Sequence, residues 1–304
     1  MISRYHKQSD KTKAHIQMHL SVLLWGATAV LGRGINLSEG LLVWYRLIIT
    51  TLSLYIALRL SGQSIKVSRS NFTKLFFIGT LLMVHWLFFY GAIKYSNVSI
   101  TLSLFASTTL FTALLEPLII KNKRFEFTEL LYSIMAIGGI VIIFYTDTNH
   151  YTIGIILALL AAFVGAFFNI LNKSVMNELS SQVVSFYEIA AGLFSLTLFL
   201  PVYIYVLEPA KLWPSSLDWV LLVVLAVVCT HITLILSLNA LKHLSAFTLN
   251  LAINLEPVYG IALAFLIFGE NKKLHSGFFL GAGLIMVSVI LHAYMEGRKT
   301  SKNN

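Results

Sequence analysis

Residues Thr152–Asn172, TIGIILALLAAFVGAFFNILN, run for 21 positions without a charged side chain. At 1.5 Å per residue a helix of that length covers about 32 Å, the thickness of a bilayer's hydrocarbon core. Val98–Leu115, Leu130–Thr146, Ile189–Leu207 and Trp219–Leu241 are likewise uncharged for about 17 residues or more. Lipid accepts only helices or closed barrels, because backbone N–H and C=O groups find no water there. Runs this solid lack the in–out alternation of a barrel strand. The sequence therefore specifies an all-α integral membrane protein.

Composition agrees. Of 304 residues, 57% are hydrophobic and 12% charged, against about 25% charged in soluble domains. Ten spans of about 21 residues would place about two-thirds of the chain in lipid. The short connections leave no room within this sequence for a soluble catalytic or nucleotide-binding domain. The net charge of +9 sits in membrane-flanking loops, which points to orientation signalling and not to nucleic acid. The lone Cys229 lies inside a hydrophobic stretch and excludes intrachain disulfides and cysteine metal clusters. The polar, basic segment Met1–Gln17 has no short hydrophobic core with a cleavage site, so the first helix is expected to direct insertion.

Helices are expected at about 17–35, 41–60, 72–93, 98–120, 128–146, 152–172, 183–206, 217–240, 245–268 and 274–294. With the N-terminus cytoplasmic, 16 Lys and Arg residues fall inside and four (Lys94, Lys211, Lys272 and Lys273) outside, while Arg33 and Arg46 lie within helices. Positive charge collects on the cytoplasmic side. Both termini are therefore expected there, as short segments at 1–16 and 295–304, and the expected location is a bacterial inner (plasma) membrane.

Ten helices divide into halves at 17–146 and 152–294, which a duplication would place in opposite orientations. Ala92-Ile93-Lys94 matches Ala240-Leu241-Lys242 at an offset of 148, and the same offset pairs Leu118-Ile119 with Leu266-Ile267. This register sets Glu256-Pro257 against Thr108-Thr109, and not against the other Glu-Pro pair, Glu116-Pro117.

The chain resembles the ten-helix permeases of the drug/metabolite transporter superfamily, EamA type, over nearly its whole length. The likeness rests on Trp25-Gly26 with Arg33 later in helix 1, on Arg46 early in helix 2, on Ala92-Ile93-Lys94-Tyr95 and Ala240-Leu241-Lys242-His243, on Pro257 within helix 9, and on Phe268-Gly269-Glu270 closing it. Thr109 stands where the family usually has a proline, and Asn122 where an acidic residue usually follows. The resemblance implies two inverted five-helix repeats around a central cavity, moving small metabolites by alternating access, often outward.

Charges at membrane depth cost about 2.5–3.5 kcal/mol even on lenient insertion scales, so they face a cavity or a partner. Arg46 in Trp44-Tyr45-Arg46 and Glu188 in Phe186-Tyr187-Glu188 occupy matching places in helices 2 and 7. They and their aromatic neighbours Tyr45 and Tyr187 are candidate cavity residues, snorkelling being the alternative. Arg33 divides evenly between the two, the resemblance favouring a cavity role. Glu256 lies about 11 residues into helix 9, far from either surface, on an i,i+4 face with Ala252, Gly260 and Ala264 that another helix could approach closely. Pro257 frees a carbonyl one turn back and is a candidate hinge. Thr101, Thr108, Thr112 and Glu116 form a stripe that is either a polar wall or a set of hydroxyls bonded to their own helix. Asn250 and Asn254 suit interhelical hydrogen bonds more often than substrate contact. His85 and His231 read more readily as core histidines than as proton relays, although Trp86 beside His85 could supply an aromatic wall.

The motifs of enzymes are absent: no Cys/His metal spacing, phosphate loop or nucleophile elbow occurs. The expected function is secondary active transport, with export the expected direction, of a small metabolite such as an amino acid or other amphipathic compound, its carboxylate on Arg46 and its amine on Glu256 or Glu188. Glu256, Glu116, His85 and His231 are the candidates for proton coupling. Neither cofactor nor metal is expected. Expected partners are the substrate, protons as coupling ion and lipid, with a homodimer left open. The alternatives are a non-transporting receptor or scaffold and a membrane-embedded enzyme.

Overall fold

The computed structural model describes residues 2–120, 127–173, 175, 179–244, 249, 252–253, 255–272 and 275–302. Among them the regular structure is entirely helical: α1 (Ile2–Gly34), α2 (Glu39–Ser61), α3 (Arg69–Tyr95), α4 (Val98–Phe105), α5 (Thr108–Ile119), α6 (Phe127–Lys173), α7 (Ser181–Leu207), α8 (Ser216–Val223), a π-helical segment (Val224–Ile232), α9 (Thr233–His243), α10 (Glu256–Phe268) and α11 (Ser276–Lys302). Local chemistry starts and stops them. Ser68, Asn97 and Ser180 each accept a hydrogen bond from a backbone N–H in the first turn that follows, and Ser215 with Asp218 forms a capping box on α8. Gly62 and Gly269 end α2 and α10 at φ +65° and +62°, where a side chain would be strained.

Among the described residues seven stretches are long and apolar enough to cross a bilayer: Asp10–Gly34, Glu39–Ser61, Arg69–Tyr95, Val98–Ile119, Tyr151–Asn172, Ser181–Leu207 and Ser216–His243. Glu256–Phe268 and Ser276–Ser288 are shorter apolar helices. The outer faces carry large apolar side chains in the open, including Leu52, Ile56, Leu198, Phe199, Val202, Tyr205 and Leu266. So much exposed apolar surface fits lipid and not water. The chain is a multi-pass membrane protein.

Four elements differ from the sequence reading. No break falls between 146 and 152: α6 runs as one helical element of 47 residues, and Ile285 of α11 lies against Gly139 and in the cluster of Ile155 and Ala158. No proline or glycine in Tyr145–Tyr151 interrupts its hydrogen-bond ladder. The expected helix 4 breaks at Ala106-Ser107 into α4 and α5, and the Ser107 hydroxyl takes up the carbonyl of Leu104. The expected helix 8 contains nine π-helical residues. In the expected helix 9, Leu255 is a turn whose N–H donates to Ala252 O, and α10 restarts at Glu256. Pro257 thus sits in the first turn of α10, where its missing N–H costs nothing.

Helix α1 packs against α9 and α10, α2 against α7 and the π segment, α3 against α6 and α7, α4 against α6 and α10, and α11 against α6. Two crossings are very close. A Cβ on Gly79 of α3 would lie 2.1 Å from the Glu188 carbonyl oxygen of α7, and Gly192 of α7 faces back toward Gly79. A Cβ on Gly260 would meet Leu102 of α4 and the Gly26 carbonyl of α1. The small-residue face of α10 is therefore where α1 and α4 dock.

Candidate functional site

A cavity of about 110 Å³ lies among these helices. One water needs about 10–15 Å³ on such a measure, so several waters or a small polar molecule fit. Helix α3 supplies Leu82, His85, Trp86, Phe89 and Tyr90, and α6 supplies Gly165, Phe168, Asn169 and Asn172. Trp25 and Thr28 come from α1, Arg46 from α2, Thr230 from the π segment, and Ser237 and Leu241 from α9. Phe105, at the end of α4, and Glu256, at the start of α10, reach it from the two broken helices.

Arg46 is 3% exposed, so it does not snorkel. Its Nε donates to Thr230 Oγ1 at 2.8 Å and its Nη1 to the Tyr90 hydroxyl at 2.7 Å. The guanidinium carbon lies 3.7 Å from the centroid of the Trp86 ring, a cation–π contact worth about 2 kcal/mol when desolvated. The π segment sets up this clamp: Thr230 donates to Leu225 O at 2.6 Å and Thr50 of α2 donates to Ala226 O at 3.2 Å. Such bulges recur at functional sites because they re-aim side chains within a helix. Arg46 Nη2 makes no hydrogen bond among the described residues, which leaves its two N–H groups for a ligand.

Glu256 is also buried and lines the same cavity, without a hydrogen-bond partner among the described residues. Arg46 acts on it electrostatically but forms no ion pair with it. The cavity thus offers a cation clamped by aromatic and hydroxyl groups and a carboxyl that makes no hydrogen bond among the described residues. His85 lines it too, but its Nδ1–H donates to Ala161 O at 2.8 Å, the geometry of a core histidine.

The other sequence candidates fall elsewhere. Glu188 is fully buried beside α3, outside the lining. Arg33 is exposed, with a 3.4 Å bond to Ile93 O. Tyr45 donates to Leu212 O and Tyr187 to Ile65 O. His231 Nδ1 lies 2.8 Å from Ser53 Oγ. Glu116 is buried outside the lining. Thr108 and Thr112 hydrogen-bond to carbonyls of their own chain stretch. Asn250 and Asn254 lie outside the described residues. The sequence reading did not single out Thr28, Asn169, Asn172, Thr230 or Ser237. Thr230 had a signal, standing with His231 and Thr233 as a polar patch within the apolar stretch Trp219–Leu241.

Among the described residues no group of three His, Cys, Asp or Glu side chains could hold a metal. The EamA-like transporter family matches the chain twice, over residues 12–145 and 152–294. An uncharacterized transporter of Bacillus subtilis (strain 168), YxxF, is 25% identical over 284 residues, covering 91% of this chain and 88% of that protein. A crystal structure of a protein 16% identical in sequence superposes with a TM-score of 0.67, covering 94% of this chain and 98% of that one. That last likeness concerns the fold alone.

Proposed function

The chain belongs to the EamA-like transporter family, and we propose that it is a secondary active transporter, exporting a small zwitterionic or amphipathic metabolite by alternating access. One observation carries this reading: Arg46 and Glu256, two buried side chains of opposite charge, line a single cavity without pairing with each other. Charged groups are kept inside a membrane protein when they serve a pathway. A substrate carboxylate would take the free Arg46 donor, its amine Glu256, and its apolar part the faces of Trp86, Phe89 and Phe168. Protons are the proposed coupling ion, through Glu256.

The proposed architecture is ten spans in two inverted five-helix repeats, with both termini cytoplasmic in a bacterial inner membrane. The start of α6 would be the fifth span and its Tyr151–Asn172 stretch the sixth, the chain reversing near Asn149 within the continuous helical run, with α10 the ninth and α11 the tenth. Helix pairing supports this. If span n exchanges with span n+5, then α3 on α7 has its image in α2 on the π segment. Likewise α3 on α6 corresponds to α9 on α1, and α4 on α6 to α10 on α1. The half-helices α5 and α10 begin at Thr108 and Glu256, 148 residues apart, at the offset of the sequence match. Discontinuous helices in corresponding halves are a recurring way to build a substrate site. The two family matches, at 12–145 and 152–294, also agree with a division into halves.

The test is flux. Purified protein in liposomes, given a pooled metabolite panel with and without a pH gradient, should accumulate or exchange at least one zwitterionic compound above protein-free liposomes. Saturable binding without flux for every compound would instead favour a receptor.

A further inference from the structure

Three of the chain's buried acids contrast sharply. Glu270 accepts from Val98 N at 3.2 Å, Ser99 N at 2.9 Å and Ser99 Oγ at 2.6 Å. Asp218 accepts from Lys211 Nζ, Asn36 N and the Ser215 backbone and hydroxyl. Glu188 is 0% exposed, yet neither carboxylate oxygen has a hydrogen-bond partner of normal geometry among the described residues. An uncompensated buried carboxylate is expensive, so this one awaits something.

Its surroundings say what. Ser185 precedes it by one helical turn on α7 and is also 0% exposed, on the neighbouring surface of that helix. Its Oγ has no partner either, whereas Ser107, Ser237 and Ser288 bond to carbonyls three residues back. The Asn172 side chain reaches Glu188 only through a loose hydrogen bond outside normal geometry, and its Oδ1 is buried and unsatisfied among the described residues. Asn172 lies in the last turn of α6, where the helix dipole favours positive charge. The orphaned atoms are all oxygens, the ligands that hard cations take. Among the described residues no basic side chain forms an ion pair with Glu188.

We infer that Glu188, Ser185 and Asn172 form a binding site for a monovalent alkali cation, distinct from the cavity clamp at Arg46. One carboxylate balances one positive charge, and a divalent ion would leave an unbalanced charge in a medium of low dielectric. A proton would neutralise Glu188 and give Asn172 Oδ1 an O–H donor, but would leave the Ser185 oxygen without a partner. Asn172 also lines the cavity, so an ion at Glu188 adjoins the substrate space. That the ion drives flux rests on the transport reading; that it binds does not.

The experiment measures binding on detergent-purified full-length protein, with no flux readout. Thermal unfolding is followed in sodium, lithium, potassium and choline chloride at equal ionic strength, together with equilibrium binding of radioactive sodium. Wild type should bind about one ion per chain saturably and unfold at higher temperature in an alkali chloride than in choline chloride. Changes outside the ligand set alone cost metal sites about 10–100-fold in affinity, so Glu188→Gln and Ser185→Ala should each weaken binding at least about tenfold. If Glu188→Gln does not fold, Ser185→Ala decides alone. Wild type with equal stability in all four salts and no saturable binding overturns the site. So does binding unchanged in Ser185→Ala. Stabilisation that follows pH equally in sodium and choline chloride overturns it in favour of a proton. A protein that transports but fails these tests keeps its proposed function and loses only this site.

Discussion

Arg46→Lys separates a recognition group from a buried structural charge. The arginine spends Nε on Thr230 and Nη1 on Tyr90, at 2.8 and 2.7 Å, and lays its plane over Trp86 at 3.7 Å. These contacts hold the guanidinium so that Nη2 is offered to a ligand. Lysine keeps the charge but is a point donor without a plane, so it can replace one of the two hydroxyl contacts and cannot present a fixed fork. Losing one hydrogen bond to a charged group costs about 1.5–3 kcal/mol. At 1.4 kcal/mol per tenfold, the substituted protein should lose about ten- to hundredfold in transport efficiency. Initial rates in proteoliposomes, at matched protein content and over a range of substrate concentrations, give that ratio. A thermal unfolding scan checks that the protein still folds. Transport within about threefold of wild type would refute the reasoning, since it falls below the cost of even one such bond. Arg46 would then be an anchor tying α2 to α3 and the π segment.

Gly79→Ala should destabilise the protein by about 1–3 kcal/mol or more, because the new methyl lands on the Glu188 backbone and not on a movable side chain; an unfolding temperature equal to wild type would contradict the α3–α7 crossing. Glu256→Gln keeps the size and most hydrogen bonding but cannot titrate, so flux driven by a pH gradient should vanish while substrate exchange survives; wild-type pH dependence would make Glu256 a packing residue. With Cys229→Ser as background, cysteines placed singly at Asn149 and Asn177 should react with an impermeant thiol reagent on intact cells at 149 and not at 177. The opposite pattern would invert the proposed topology.

Much of this was legible in the sequence because charge in an apolar run is rare and costly. Arg46 and Glu256 stand out on that ground alone, and the structure puts both in one cavity. The close approach at Gly260 also read correctly from its small size, whereas Ala252 lies before the turn at Leu255 and does not share the α10 face with Glu256, Gly260 and Ala264. Tyr45 and Tyr187 misled because neighbours in sequence lie about 100° apart around a helix. Each borders a charged residue but points elsewhere, to Leu212 and Ile65. The neutral polar lining, Thr28, Asn169, Asn172, Thr230 and Ser237, was not legible. Such residues more often serve packing in a span, and only the tertiary arrangement brings these five to one space. Nor does composition announce a π segment or a broken helix. At Ala106-Ser107 no proline or glycine marks the break.

Ser237 lies on the cavity wall, 4% exposed, and among the described residues its hydroxyl bonds only to its own helix carbonyl. Placed as a single cysteine, Ser237→Cys in the Cys229→Ser background, it reports directly on whether the cavity is the transport path. Proteoliposomes carrying this variant should transport the compound found in the panel and lose that transport on reaction with a small maleimide. The compound should slow the reaction, with half-protection near its half-saturating concentration for flux. Complete labelling that leaves transport unchanged, or labelling at the same rate with and without the compound, would contradict the claim that substrate passes through the space between Arg46 and Glu256.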